Sequence, residues 1–593
     1  MEYRVKGWTG KRLFIDLGIQ RAWTEEIPEG DLERYIGGRG LNGNFFLERV
    51  DPSLASSSPE NPIAFSIGPL AGTFAPCSGW TSISTLSPNP YSPRYAHASL
   101  PGHWGPQLKF SGFDQLIIKG KADKPLYLAM DGEKVSFEDA RSLWGKDTAE
   151  TTVAIQKEKK DRNIEVLCIG PAGENLIFSA NVTNRFSWTA DHIGLGYLFG
   201  SKNLKAIAIR GKEMVSLHDP DRFLHSCVTL RERIHRDPNA SRLKEEGPFL
   251  LLRQKDGGLG IKNYNEVSHP DFEARWGAAY FTNHFYGKEA CFSCPIHCGR
   301  ISDVNGNYFG GVHVESAWSL GPKIGIEAWE KTLLLHRICQ LQGLDPSSAG
   351  SLLAWLMDCC EKGILSPRDL GSIPLKWGDE KAALQWIEWI VEGKETGEIL
   401  GQGCLHAANS LGKGLDQVPH FWGMDLPVRD PHSSMQYALS RALFPMEWDY
   451  LQSLNHPDSL SSSSTHPREA QQNGVLERVL ALEKQQILAD LNSLCPLVVA
   501  RLPLLSTSDI EELLFAATGK EKEDGALLAA VARTMQIEKT LRQKIKSEDS
   551  LGLDPFPLRL FDDPEGKRDL ENEIAHYNGL KESDLLKEET IDK

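Results

Sequence analysis

Over roughly the first 212 residues, apolar and β-branched positions fall in short runs closed by Gly, Pro, Asn or Asp. The runs are Asn61–Gly68, Trp80–Leu86, Asp114–Gly120, Pro125–Asp131, Ile164–Gly170 and Leu204–Gly211. Runs of this length with such boundaries predict strands joined by glycine turns. One stretch, Asp147 to Lys159, carries a helical alternation and interrupts them. Residues 1–212 therefore read as a β-rich domain with some helix.

After Gly211 the period changes to that of a helix. Trp329, Leu333, Leu334, Ile338 and Leu341 recur at helical spacing, as do apolar residues in Ser351–Leu365, Ala382–Val391 and Glu477–Leu494. A further boundary is expected near Gly423. The division is then 1–212, 213–422 and 423–593, an α+β chain with a β-rich first domain and two mainly helical ones. Asn455–Gln472 is serine-rich without an apolar period and predicts a surface loop or disordered insertion. The charged end, Lys581–Lys593, is expected to fray.

Composition narrows the class. The chain has 593 residues, 40% hydrophobic and 24% charged, which suits a globular protein with large cores. A formal net charge of −15 argues against nucleic-acid binding. No apolar stretch reaches the roughly 18 residues that span a bilayer. Met1–Lys6 has neither an apolar h-region nor a small-residue cleavage site, so a cytoplasmic location is expected. Eleven cysteines in that setting read as thiols and metal ligands rather than disulfides.

The chemistry concentrates in Cys291-Phe292-Ser293-Cys294-Pro295-Ile296-His297-Cys298, a C-x2-C-x3-C run. Three thiolates this close fit three corners of a compact metal centre. A cubane needs a fourth ligand from elsewhere. Cys495 is the candidate: it ends a strongly amphipathic helical pattern, and Pro496 is expected to stop that helix. Structural zinc with His297 as a ligand is a rival reading. Radical-SAM enzymes use the reverse spacing. Cys168, Cys227, Cys339, Cys359, Cys360 and Cys404 read as core or lightly exposed thiols.

Further stretches extend the pattern. They are Gly37-Gly38-Arg39-Gly40-Leu41, Gly68-Pro69-Leu70-Ala71-Gly72-Thr73, Leu108 to Asp114, Gly170 to Asn175 and Gly200-Ser201-Lys202-Asn203-Leu204-Lys205-Ala206. Downstream come the cysteine run, Val314-Glu315-Ser316, Gly343-Leu344-Asp345 and Gly423-Met424-Asp425-Leu426-Pro427. In these stretches and their order, over about 500 residues, the chain resembles the aldehyde:ferredoxin oxidoreductases. The resemblance implies that the β-rich domain forms the base for two pterin dithiolenes holding tungsten or molybdenum. It implies a neighbouring [4Fe–4S] cluster on Cys291, Cys294, Cys298 and Cys495, oxidation of an aldehyde to a carboxylic acid, and ferredoxin or a partner subunit as acceptor. Magnesium bridging the pterin phosphates and an oligomer are expected on the same ground. Glu315 matches the family's active-site glutamate.

Several matches depart from the family at the pterin site. Trp80 stands where the family has an arginine between the pterins, and Ser99 where it has an asparagine near the magnesium. The glycine-rich Ala-Gly-Arg-Gly-Gly loop reads Ala190-Asp191-His192-Ile193-Gly194. The first pterin motif, Gln340-Leu341-Gln342-Gly343-Leu344-Asp345, lacks its leading aspartate. The second, Asp490-Leu491-Asn492-Ser493-Leu494-Cys495, lacks its glycine. The family's Arg-Gly-Gly-x-His has no counterpart in Ser440–Trp448; His192 and His313 are candidates to replace that histidine. Three functions follow as expectations. The first is a bis-pterin aldehyde oxidoreductase. The second is a non-catalytic electron-transfer or scaffold subunit with an altered or lost pterin site, paired with an active paralogue. The third is a zinc-stabilised binding protein.

Overall fold

The computed structural model describes residues 5–586, except 90, 92–94, 186, 191, 252–258, 267–270, 272–275, 277–279, 281–283, 305–306, 372–374, 427, 445–473, 521–524 and 546–563. The expected serine-rich loop, Asp191 and the Pro445–Trp448 part of the missing-histidine stretch lie outside the described residues.

The six predicted apolar runs are all strands. The first sheet holds β1 (Lys11–Asp16), β2 (Arg21–Glu26), β3 (Ile63–Ser66), β4 (Thr81–Leu86), β5 (Tyr95–Leu100) and β6 (Gln115–Lys119), in the order β2-β1-β6-β3-β4-β5. The second holds β7 (Leu126–Asp131), β8 (Lys134–Asp139), β9 (Glu165–Cys168), β10 (Val182–Asn184), β11 (Trp188–Ala190) and β12 (Leu204–Arg210), in the order β11-β10-β9-β12-β7-β8. All pairings are antiparallel except β1 with β6 and β7 with β12. Leu13, Ile63, Leu116, Leu128, Leu167 and Ile207 share one buried cluster, so the two sheets close on a common core. Burial on both sides explains why these runs are apolar rather than alternating.

Helix 148–159 forms as expected, with Asp147 and Glu150 in a capping box. It is not alone. Gly38–Arg49, Trp104–Phe110 and Leu195–Ser201 are also helices of the N-terminal half. The first of these was hidden by its glycines, which serve close packing. A Cβ at Gly38 (φ +46°) would lie 2.0 Å from the Asp490 carbonyl oxygen. Buried Arg39 then reaches the C-terminal helices, with Nε 2.9 Å from Glu538 and Nη2 2.7 Å from Glu483. Burial pushes the Glu538 carboxyl up, and Arg39 outweighs it, holding the group down to about 2.

Beyond Gly211 helices dominate, including Pro220–Arg236, Trp329–Gln342, Pro346–Glu361, Glu380–Glu392, Val475–Asn492 and Ala526–Lys544. Two readings need correction. Helix 475–492 is amphipathic over its first three turns, burying Leu476, Val479, Leu480 and Glu483, but is buried all round from Gln486, and it ends at Ser493 in the left-handed conformation (φ +61°), not at Pro496. Glu582–Leu585 forms a capped helical turn with Leu585 buried, so the charged end is docked that far and not frayed.

Candidate iron–sulfur and pterin site

The Cys291–Cys298 run forms the loop between two antiparallel strands, β13 (Phe285–Glu289) and β14 (Gly299–Val304). Ser293 and His297 adopt positive φ (both +57°), which curls the loop so that its thiols face inward. Two guanidinium groups brace it. Arg231 Nη2 donates to the Ser293 carbonyl at 2.9 Å. Arg300 Nη1 donates to the carbonyls of His297, Cys298 and Gly299 at 3.0–3.2 Å.

Cys495 arrives from the other end of the chain. Ser493 turns the backbone, Trp80 N donates to the Ser493 carbonyl at 3.2 Å, and Cys495 N donates to the Cys77 carbonyl at 3.0 Å. Cys77 N in turn donates to the Ser293 carbonyl at 3.0 Å. The 75–80 segment is thus a strap between the cysteine loop and the fourth cysteine. Cys291, Cys294, Cys298 and Cys495 line one cavity of about 40 Å³ with Cys77, Trp80, Trp188 and His313. His297 is exposed. Among the described residues no three His, Cys, Asp or Glu converge closely enough for a single ion. Thiols spread around a small, largely apolar space suit a compact cubane better than zinc. Burial pushes the Cys298 thiol up to about 12.

Cys77 is the residue the sequence reading missed, the one cysteine of eleven given no role. Its thiol donates to Cys294 Sγ at 3.8 Å. Its only signal in the sequence was its place three residues before Trp80, at the foot of the expected pterin contact.

The expected pterin residues gather in two places. In one, Ser99 Oγ donates to Asp490 Oδ1 at 3.0 Å, and Arg39 Nη1 lies 3.4 Å from Asp490 Oδ2. Leu494 is fully buried beside them in sequence, and Trp80 is 5% exposed. On the other side, His192 joins two carboxylates, with Nε2 3.2 Å from Glu315 Oε2 and Nδ1 3.1 Å from Asp345 Oδ2. Asp345 also caps helix 346–361 by accepting from Ser347 N at 2.8 Å. Burial disfavours the charged imidazole, but Asp345 and then Glu315 outweigh it and hold His192 well above its ordinary range. Ala190 ends β11, Gly194 (φ +70°) starts the next helix, and Gly343 (φ +67°) ends helix 329–342. Leu344 pairs with Ala180 in an isolated bridge. His313 is half-buried, and desolvation pushes its imidazole down to about 4.

These residues fit a [4Fe–4S] cluster: four thiols, an apolar wall and two bracing arginines. The residues that the resemblance places at two pterins bond to one another here: Asp345 and Glu315 hold His192, and Asp490 holds Ser99 and Arg39. Trp80 and Trp188 stand at the cavity wall. Ser99, expected near magnesium, spends its hydroxyl on Asp490.

Comparison with known proteins agrees with the fold. The solved active-site complex BamBC of benzoyl coenzyme A reductase, with 1,5-dienoyl-CoA, superposes at a TM-score of 0.82 with 21% identity, covering 98% of this chain and 95% of that one. Among curated relatives, a tungsten-containing aldehyde ferredoxin oxidoreductase of Pyrococcus furiosus is 32% identical over 73% of this chain and 72% of its own length. One from Pyrococcus abyssi is 29% identical over 94% and 92%. The WOR-like subunit of a Pyrococcus furiosus aliphatic sulfonate oxidoreductase is 30% identical over 72% of each chain. Family profiles match twice: the aldehyde ferredoxin oxidoreductase N-terminal domain over residues 12–211, and domains 2 and 3 over residues 226–587. The chain belongs to the aldehyde ferredoxin oxidoreductase family and is an oxidoreductase of that family.

Proposed function

We propose that one [4Fe–4S] cluster on Cys291, Cys294, Cys298 and Cys495 relays electrons between the oxidation of an aldehyde, or a related carbonyl, to a carboxylic acid and a ferredoxin or partner subunit. The observation that carries this reading is the meeting of four thiols, from positions 291–298 and 495, around one cavity. A cubane moves one electron at a time, which suits the two electrons released by aldehyde oxidation being handed on singly. The protein's part is to hold the thiols, exclude water and offset their charge with Arg231 and Arg300. The names of the relatives support tungsten chemistry and, in one case, a role as a subunit. We take the division at 212 and 422, and a cytoplasmic location, as part of the same reading.

The electron partner is proposed to dock where the cysteine loop approaches solvent. Arg231 lies over the Phe74 ring at 4.1 Å while it holds Ser293. Phe74, Leu224 and Val228 are 49%, 50% and 44% exposed, the last two on the same helix as Arg231. Exposed apolar groups of this size beside a redox centre favour a docking face.

A second reading is favoured by the contacts of His192. If Asp345 and Glu315 serve His192, the carbonyl chemistry resides on an active paralogue, and this chain is its electron-transfer or scaffold partner. Metal analysis of anaerobically purified protein separates the two. About four irons per chain with stoichiometric tungsten or molybdenum, and aldehyde-dependent viologen reduction, support catalysis in this chain. Iron alone and no viologen reduction support the second reading. Zinc without iron sinks both.

A further inference from the structure

We propose that Cys77 is a positioning residue for the cluster: its S–H hydrogen-bonds the Cys294 sulfur and raises the cluster's reduction potential. This rests on the cluster reading above. Three observations carry it. The Cys77 thiol is the donor to Cys294 Sγ at 3.8 Å, within the range for sulfur. It is 1% exposed and lines the same cavity as the four ligand cysteines. Its backbone is fixed from both sides, by the bond from Cys77 N to the Ser293 carbonyl and by that from Cys495 N to the Cys77 carbonyl, each 3.0 Å.

The backbone contacts explain why the thiol stays in place. Cys77 adopts positive φ (+63°), unusual for a residue with a side chain, and the strap holds that conformation between the two ligand segments. Its Sγ therefore tracks Cys294 rather than swinging away. A donor to a ligating sulfur draws electron density from the iron. The reduced cluster, carrying one more negative charge, gains more from that donor than the oxidised one. Hydrogen bonds to cluster sulfurs are an established lever on potential, and here a fifth thiol supplies one to a ligand. No electron or proton transfer by Cys77 is involved: it keeps its proton in both redox states.

The test is an EPR-monitored redox titration of the full chain, with iron and acid-labile sulfide counted in each sample. Cys77→Ala and Cys77→Gly remove the donor, and glycine accepts the positive φ without strain. Both are expected to hold the wild-type iron content with a lower midpoint potential. Cys77→Ser, which restores an O–H donor, is expected to lie nearer the wild type. An unchanged potential in a fully loaded Ala or Gly variant overturns the inference. So does loss of the cluster from both at unchanged fold, or a full cluster in Cys294→Ala, because Cys77 is then a ligand rather than a donor. Wild-type protein without iron–sulfur signal refutes the cluster reading itself, a different result from any of these.

Discussion

His192 Nδ1 lies 3.1 Å from Asp345 Oδ2, joining the loop after β11 to the N-terminus of helix 346–361. Through its other nitrogen His192 reaches Glu315, so one imidazole holds two carboxylates. Replacing it with alanine leaves both carboxylates without it in a buried place. Breaking a buried pair in this way costs about 3–5 kcal/mol, and chemical denaturation of His192→Ala measures it.

The same contact sets a pH dependence. The folded His192 titrates well above its unfolded value because Asp345 and Glu315 outweigh burial. Its contribution is therefore complete below the unfolded pKa, near 6.5, and is lost as pH rises through the folded value. Melting temperatures from slightly acid to alkaline pH are expected to fall more steeply for the wild type than for His192→Gln.

Arg39 joins Glu483, Glu538 and Asp490 with its side chain fully buried. Arg39→Met strands three carboxylates and is expected to destabilise by about 3–5 kcal/mol. Arg39→Lys is expected to recover only part, since an ammonium cannot present the planar fork to several acceptors. Urea midpoints compare the three proteins.

Under the proposed reading, cluster loading is expected to depend on all four thiols. Cys291→Ala, Cys298→Ala or Cys495→Ala is expected to lower iron per chain and bleach the broad absorption near 400 nm. Because burial holds Cys298 protonated up to about 12, reconstitution is expected to speed up and release protons as pH rises. Iron uptake followed with a pH indicator checks both.

The proposed docking face has a kinetic signature. Val228→Glu or Phe74→Glu is expected to slow electron transfer to ferredoxin at least several-fold while leaving reduction of the cluster by dithionite unchanged. Stopped-flow traces with each redox partner make the comparison.

Several elements were legible because their signal is local. The six apolar runs with Gly, Pro, Asn or Asp at their ends became strands, and the helical pattern from Asp147 to Lys159 became a helix, whose start Asp147 and Glu150 cap. Helix 38–49 was not legible, because its glycines answer to a backbone, that of Asp490, more than 400 residues away. Leu334 shows the same limit: it keeps the helical period of Trp329 and Leu333 yet is 46% exposed.

By itself the sequence determined the strands, the inward-curling run of three cysteines and the family, because spacing and turn chemistry act over a few residues. Only the tertiary structure decided what meets what. It brought Cys495 to the loop through the strap at Cys77, and it set His192 between Asp345 and Glu315. Those contacts join residues far apart in the chain, and no local pattern records the distance between them.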